Sequence, residues 1–153
     1  MPLITAQELK DTLKPNQRLF GLDLGDKTIG LALSDTRLMI ATPHETIRRE
    51  KFKKDARQLI DLIQEHNVQA LIMGWPLNMD GSEGPRCQST RQFVTNFLTQ
   101  LDIPIVLWDE RLSTKAVEDA MISFDVSRKK RSEKIDQAAA SFILQGFLES
   151  LGF

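Results

Sequence analysis

After three strand-like runs the hydrophobic period of this chain switches near residue 50, and that switch dictates the order of its elements. Before it lie three apolar runs with strand character: Arg18–Leu24, Ile29–Leu33 and a stretch from Leu38 to Ile47. Gly25-Asp26 and Ser34-Asp35 separate them, and turns this short favour antiparallel pairing in a meander. Pro43 cannot donate to a ladder, so the third run is expected at an edge or with an interruption.

Past that point strand and helix alternate. Phe52, Ala56, Leu59, Ile60 and Ile63 fall on one helical face, and Ala70–Met73 is a short strand. Leu77–Pro85 is a loop rich in turn formers, followed by a helix turning Thr90, Phe93, Val94, Phe97 and Leu101 inward. Pro104–Trp108 supplies a fifth strand, and Ser113 can cap a helix carrying Ala116, Val117, Ala120 and Met121. The pattern lapses from Ile122 to Arg131, which reads as a loop. Ser132 then caps a last helix striped by Ile135, Ala139, Phe142, Ile143, Gly146 and Phe147. The expected fold class is α/β, a mixed five-stranded sheet flanked by helices. Thr5-Ala6-Gln7-Glu8 is a capping box for one further short helix before Pro15. A length of 153 residues suits a single domain, with 1–16 as an N-terminal extension and 18–150 as the core.

Three carboxylates interrupt this apolar scaffold. Asp23 lies inside the first strand, Glu110 follows the fifth, and Asp136 falls within the apolar stripe of the last helix. Alternation puts Leu19, Gly21 and Asp23 on one face, with Gly21 leaving space beside the carboxylate, and Val106, Trp108 and Glu110 on another. Asp136 is expected in the first turn of its helix, where the helix dipole favours negative charge. A buried, unpaired carboxylate costs several kcal/mol by rough estimate, so such groups pair or hold a metal. No basic residues alternate with them along these strands. Oxygen donors without a cysteine or histidine cluster select Mg2+ or Mn2+, and converging acids can hold two such ions roughly 3.5–4 Å apart. That arrangement suits hydrolysis of a phosphodiester, with water attacking phosphorus in line and the 3′-oxygen leaving. Taken singly, each acid also has a structural reading: a strand-end turn for Asp23, pairing with Arg111 for Glu110, a first-turn acid for Asp136.

A formal net charge of −1 excludes a protein that coats nucleic acid through bulk charge, so attention falls on local clusters. Arg128, Lys129, Lys130 and Arg131 adjoin Asp136 and are candidate phosphate contacts, as are Lys27 and Arg111. Arg48, Arg49, Lys51, Lys53, Lys54 and Arg57 could also neutralise phosphates but read better as a solvated face. A single cysteine, Cys87, excludes an intrachain disulfide and a cysteine-rich zinc site. No apolar run approaches the ~20 residues needed to cross a bilayer, and no signal-peptide pattern opens the chain. A cytoplasmic location without a membrane partner is expected.

Four segments then carry a family resemblance: Gly21-Leu22-Asp23-Leu24-Gly25-Asp26-Lys27-Thr28-Ile29-Gly30-Leu31-Ala32, Gly74-Trp75-Pro76-Leu77-Asn78-Met79-Asp80-Gly81, Trp108-Asp109-Glu110-Arg111-Leu112-Ser113-Thr114 and Lys134-Ile135-Asp136-Gln137-Ala138-Ala139. In that order they resemble the YqgF family, RNase H-like nucleases also described as RuvC-like Holliday junction resolvase homologues. The resemblance implies an RNase H-like nuclease domain and a role in maturing the 5′ end of pre-16S ribosomal RNA, with a ribosomal precursor particle as a possible partner. It also implies that Asp23, Glu110 and Asp136 are the catalytic and metal-holding acids. Two positions depart from it: Thr28 stands where many relatives carry arginine, and Trp75 where they carry leucine. The first removes a possible phosphate contact, and the second adds a base-stacking surface or fills core.

Rival readings are a DNA junction resolvase of the same fold, which needs a dimer, and a nucleic-acid-binding module without cleavage, which the retained acids oppose. An actin-like ATPase, whose phosphate loop also opens with Asp-x-Gly, needs two such domains to enclose nucleotide. The sequence leaves the oligomeric state open. Asn78 and Asp80 read as turn residues, and His44 and His66 lack ligand spacing.

Overall fold

A computed structural model describes residues 3–14, 16–76, 80–109 and 128–151, with side chains omitted for 128–134. The order is α1 (Ala6–Thr12), β1 (Arg18–Leu24), β2 (Thr28–Ser34), β3 (Ala41–Arg48), α2 (Phe52–Glu65), β4 (Val68–Trp75), α3 (Pro85–Leu98), β5 (Ile105–Asp109) and α4 (Arg128–Ser150). Among the described residues the sheet has five strands in the order β3-β2-β1-β4-β5. β1–β2 and β2–β3 are antiparallel, while β1–β4 and β4–β5 are parallel. This is the mixed sheet expected from the change of period. The capping box forms as read, with Thr5 Oγ1 accepting from the Glu8 amide at 3.1 Å.

β3 is the edge strand, as Pro43 requires. Leu31 pairs with Glu45 but Ala32 pairs with Pro43, so His44 is the extra residue of a bulge.

Each sheet face has its own core. Phe20, Leu22, Ile29, Leu31, Leu71, Met73 and Ile105 meet α2 and α3 through Leu59, Ile63, Phe93 and Phe97. On the other face Leu19, Ala32, Ala70, Ile72 and Val106 meet α4 through Ala140, Ile143, Leu144 and Phe147. Leu9 of α1 joins this second core, so the N-terminal extension packs against the sheet. Glycines let α4 come close. A Cβ on Gly21 would stand 2.7 Å from the Ala140 carbonyl oxygen, so α4 backbone, and not open space beside Asp23, occupies that gap.

Two expectations for the C-terminal region need correction. α4 begins at Arg128, so residues 128–131 are helical rather than loop, and Ser132 lies inside the helix. Asp136 is therefore two turns in, beyond the reach of the N-terminal dipole. The four basic residues are strong helix formers, and that propensity outweighed the missing apolar stripe. The proposed helix from Ser113 and the lapse at 122–127 lie outside the described residues.

Candidate functional site

Asp23 is the sixth residue of β1 and is buried. Its partner across the antiparallel ladder is Gly30 of β2. Directly opposed residues put their side chains on the same face, here the one covered by α4. Gly30 marks where the third element arrives: a Cβ there would sit 2.1 Å from the backbone oxygen of Asp136 and 3.0 Å from its Cβ. Asp23 and Asp136, 113 positions apart, thus both adjoin Gly30, one beside it in the sheet and one above it. A side chain at position 30 would drive them apart.

Thr28 supplies what the helix dipole does not. Its hydroxyl donates to Asp136 Oδ2 at 2.5 Å, a charge-assisted bond that orients the half-buried carboxylate. The sequence reading treats Thr28 as a lost phosphate contact; the structure gives it a position-holding role. Its signal was present in the alternation, since Thr28 and Gly30 share the face opposite Ile29 and Leu31. Gln137 reinforces the docking of α4, with Nε2 donating to Thr46 Oγ1 at 3.0 Å.

The turn after Asp23 is held from three directions. The Gly25 amide donates to the Thr28 carbonyl at 2.8 Å, and the Arg49 amide donates to the Lys27 carbonyl at 2.8 Å. Arg49 Nη1 donates to the Gly25 carbonyl at 2.6 Å, and Arg86 Nη2 to that of Leu24 at 3.1 Å. The sequence reading placed Arg49 in a basic cluster and did not single out Arg86, because bonds to backbone carbonyls leave no pattern in side-chain type. Lys27 is exposed at the tip of this turn.

Of the remaining candidates, Glu110 and Arg111 lie outside the described residues, and the same holds for the side chains of Arg128, Lys129, Lys130 and Arg131. Val106 and Trp108, the residues expected to share a face with Glu110, lie on the α4 side, where Asp23 and Asp136 also lie. Trp108 packs edge-on to Phe147 at 5.7 Å. Asp80 forms a turn, accepting from the Ser82 hydroxyl at 2.6 Å and its amide at 2.9 Å. Those bonds hold its carboxyl below the usual range. Trp75, half-buried at the end of β4, has the Arg91 guanidinium 5.1 Å from its ring centre. Cys87 is buried, its thiol 3.4 Å from the Pro76 carbonyl.

The two acids suit magnesium or manganese by donor type, since both offer hard oxygen ligands. Among the described residues no group of three or more metal-ligating side chains converges. His44 and His66 meet each other, rings 4.6 Å apart and nearly perpendicular, against Phe20 on the other face. Burial, and then the proximity of His66, push the His44 pKa down. Among the described residues no helix is long and apolar enough to cross a membrane.

Comparison with known proteins agrees with this layout. Residues 17–150 match the RuvX family, described as Holliday junction resolvase. A Rhizobium meliloti protein named "Putative pre-16S rRNA nuclease" is 57% identical over 99% of this chain and 92% of its own length. A namesake from Paramagnetospirillum magneticum is 52% identical over 98% of this chain and 97% of its own. Among solved structures, Thermus thermophilus RuvC in complex with a Holliday junction substrate superposes with a TM-score of 0.56 at 14% identity, covering 89% of this chain and 96% of that one. The yeast mitochondrial Holliday junction resolvase Ydc2 gives 0.54 at 15% identity, covering 96% and 84%. At such identities the likeness shows the fold, which is RNase H-like.

Proposed function

The chain belongs to the RuvX family, and from that premise we propose that it is a metal-dependent endonuclease processing the 5′ end of pre-16S rRNA in the cytoplasm. The observation that carries the reading is the meeting of Asp23 and Asp136 at Gly30, beside a turn held by two arginines. The names of the full-length relatives support RNA over other substrates.

In this reading Asp23, Asp136 and Glu110 would hold Mg2+ or Mn2+, which would supply activation of water and charge stabilisation at the leaving oxygen. Asp23 is placed by its strand and Asp136 by α4, with the Thr28 hydroxyl keeping the Asp136 carboxylate in one orientation. Lys27 and Arg111 neutralise the phosphate being attacked, and Arg128, Lys129, Lys130 and Arg131 hold the flanking backbone. The water oxygen bonds to phosphorus and gives up a proton to solvent, the P–O3′ bond breaks, and the departing 3′-oxygen takes up a proton from solvent.

The test is cleavage of short RNA by the purified protein with magnesium or manganese. Asp23→Asn, Glu110→Gln and Asp136→Asn are each expected to lose activity on the order of a thousandfold, as removal of one member of a catalytic unit does. Melting temperatures should hold or rise, because one of several like charges is gone. Full activity in Asp23→Asn would overturn the metal site. The family description favours a second reading, a DNA four-way junction as substrate. Preferential cleavage of a junction, with no rise in 16S precursor when the protein is depleted from cells, would establish that one instead.

A further inference from the structure

An open groove of about 520 Å3 runs along α3 from Pro85 to Asn96, bounded by Arg49 and by Phe52 at the start of α2, on the face of the sheet away from Asp23 and Asp136. Its floor is aromatic. Phe52 is half-buried and meets buried Phe93 edge-on at 5.5 Å. One wall is a row of amides, Gln88, Gln92 and Asn96, spaced four residues apart and so aligned along one side of α3. Above the floor, Arg49 holds its guanidinium carbon 5.9 Å from the centre of the Phe93 ring. The same guanidinium bonds the Gly25 carbonyl, two residues after Asp23. Among the described residues lining the groove, Arg49 carries the only charge.

We propose that this groove binds one unpaired nucleotide of the RNA strand whose neighbouring phosphate lies at the acids. The inference rests on the nuclease reading and deepens it. Size fits, because pockets for small ligands span roughly 300–1,000 Å3. Chemistry fits more closely. Carboxamides both donate and accept, which matches the mixed edge of a base. Phe52 and the Arg49 guanidinium offer surfaces on which a base stacks. A site for phosphate alone would gather several cations, and this one has a single arginine already anchored to the catalytic turn. That anchor ties the groove to the turn after Asp23, and a strand crossing the Gly25–Lys27 turn would pass from one face of the sheet to the other. Stacking on Phe52 and Arg49 needs a base out of its helix, and in paired RNA the Watson–Crick edge is taken and the major groove is too deep and narrow for side chains, so the groove selects single-stranded substrate beside the cut.

The test is a Gln88→Ala/Gln92→Ala/Asn96→Ala variant of the full chain, placed in an Asp23→Asn background to prevent cleavage. Its side chains are exposed or half-exposed, and a circular-dichroism melt checks that folding is retained. The probe is a fluorescein-labelled single-stranded RNA of about 12 nucleotides, within the range of single-strand site sizes. The expected result is a rise in Kd of about tenfold on the single strand, with little change on the same sequence as a duplex. A series of single abasic substitutions should find one position that weakens the parent similarly and leaves the triple variant unaffected. Equal Kd values for parent and triple variant, an equal loss on duplex, or no position absorbed by the variant would each overturn the groove. Cleavage by the chain with native Asp23 is measured alongside. If it cuts the RNA while the triple variant binds normally, the groove fails and the nuclease stands; if it neither binds nor cuts, both fall.

Discussion

The two faces of the sheet are built by opposite means. Toward α2 and α3, large side chains interlock: Phe20, Leu22, Leu71 and Phe97 are fully buried, and Phe93 stacks parallel to Phe97 at 6.0 Å. Toward α4, the contact at Gly21 and Gly30 has almost no side chain in it, and helix backbone rests on strand. The first design stabilises by area removed from water. The second gives up area so that a helix can deliver a carboxylate to a strand. Both faces bury an apolar core, but only the α4 face gives up side-chain contact at the point where Asp23 and Asp136 meet.

That division can be broken most sharply by two substitutions made as a pair. Phe97→Ala should cost about 3–5 kcal/mol of stability by opening a cavity, while molecules still folded cleave RNA normally. Gly30→Ala should cost less stability, about 1–3 kcal/mol as overpacking does, yet abolish cleavage because Asp136 is displaced. Denaturant melts combined with activity per folded molecule separate the two. Equal activity losses would show that the faces are not distinct.

Thr28→Ala sharpens the comparison within the α4 face. Losing a partner that orients a metal-ligating carboxylate typically costs about 10–100-fold in metal affinity or activity. Mn2+ binding followed by calorimetry should weaken by that order, and Thr28→Ser, which keeps the hydroxyl, should restore it. A variant that binds Mn2+ normally would reduce the Thr28–Asp136 bond to a structural contact.

The smallest effect belongs to the face that holds the histidine pair. Burial first, and then His66 and Arg18, hold His44 below its ordinary 6.5, while Glu45 and Glu65 favour its charge. The unfolded chain therefore binds the proton more readily than the folded one, so the stability tied to neutral His44 is complete above pH 6.5 and falls as the pH drops through that value toward the folded pKa. Between pH 7.5 and about 5, His44→Gln should lose less melting temperature than the parent. An identical drop in both would remove His44 as the cause.

Much of this layout was legible in the sequence. The antiparallel meander follows from turn residues and the edge position of β3 from Pro43, while the inward face of α3 and the shared face of Leu19, Gly21 and Asp23 follow from periodicity, which records what is buried. Glu110 and Arg111 were read from the same pattern and lie outside the described residues. The start of α4 was misread because its first two turns are cationic, and a helix without an apolar stripe has no periodic signature.

By itself, then, the sequence determined which segments become strands and helices, because local pattern and turn chemistry act over a few residues. It also marked Asp23 and Asp136 as acids out of place among apolar neighbours. Only the tertiary structure decided that the two share Gly30, that Thr28 orients Asp136, and that Arg49, one of a row of surface cations, reaches back to the Gly25 carbonyl. The hydrogen bonds among them join residues 24 and 108 positions apart. Their energies depend on distance and direction between side chain and backbone, quantities that exist only once the sheet has brought its strands together.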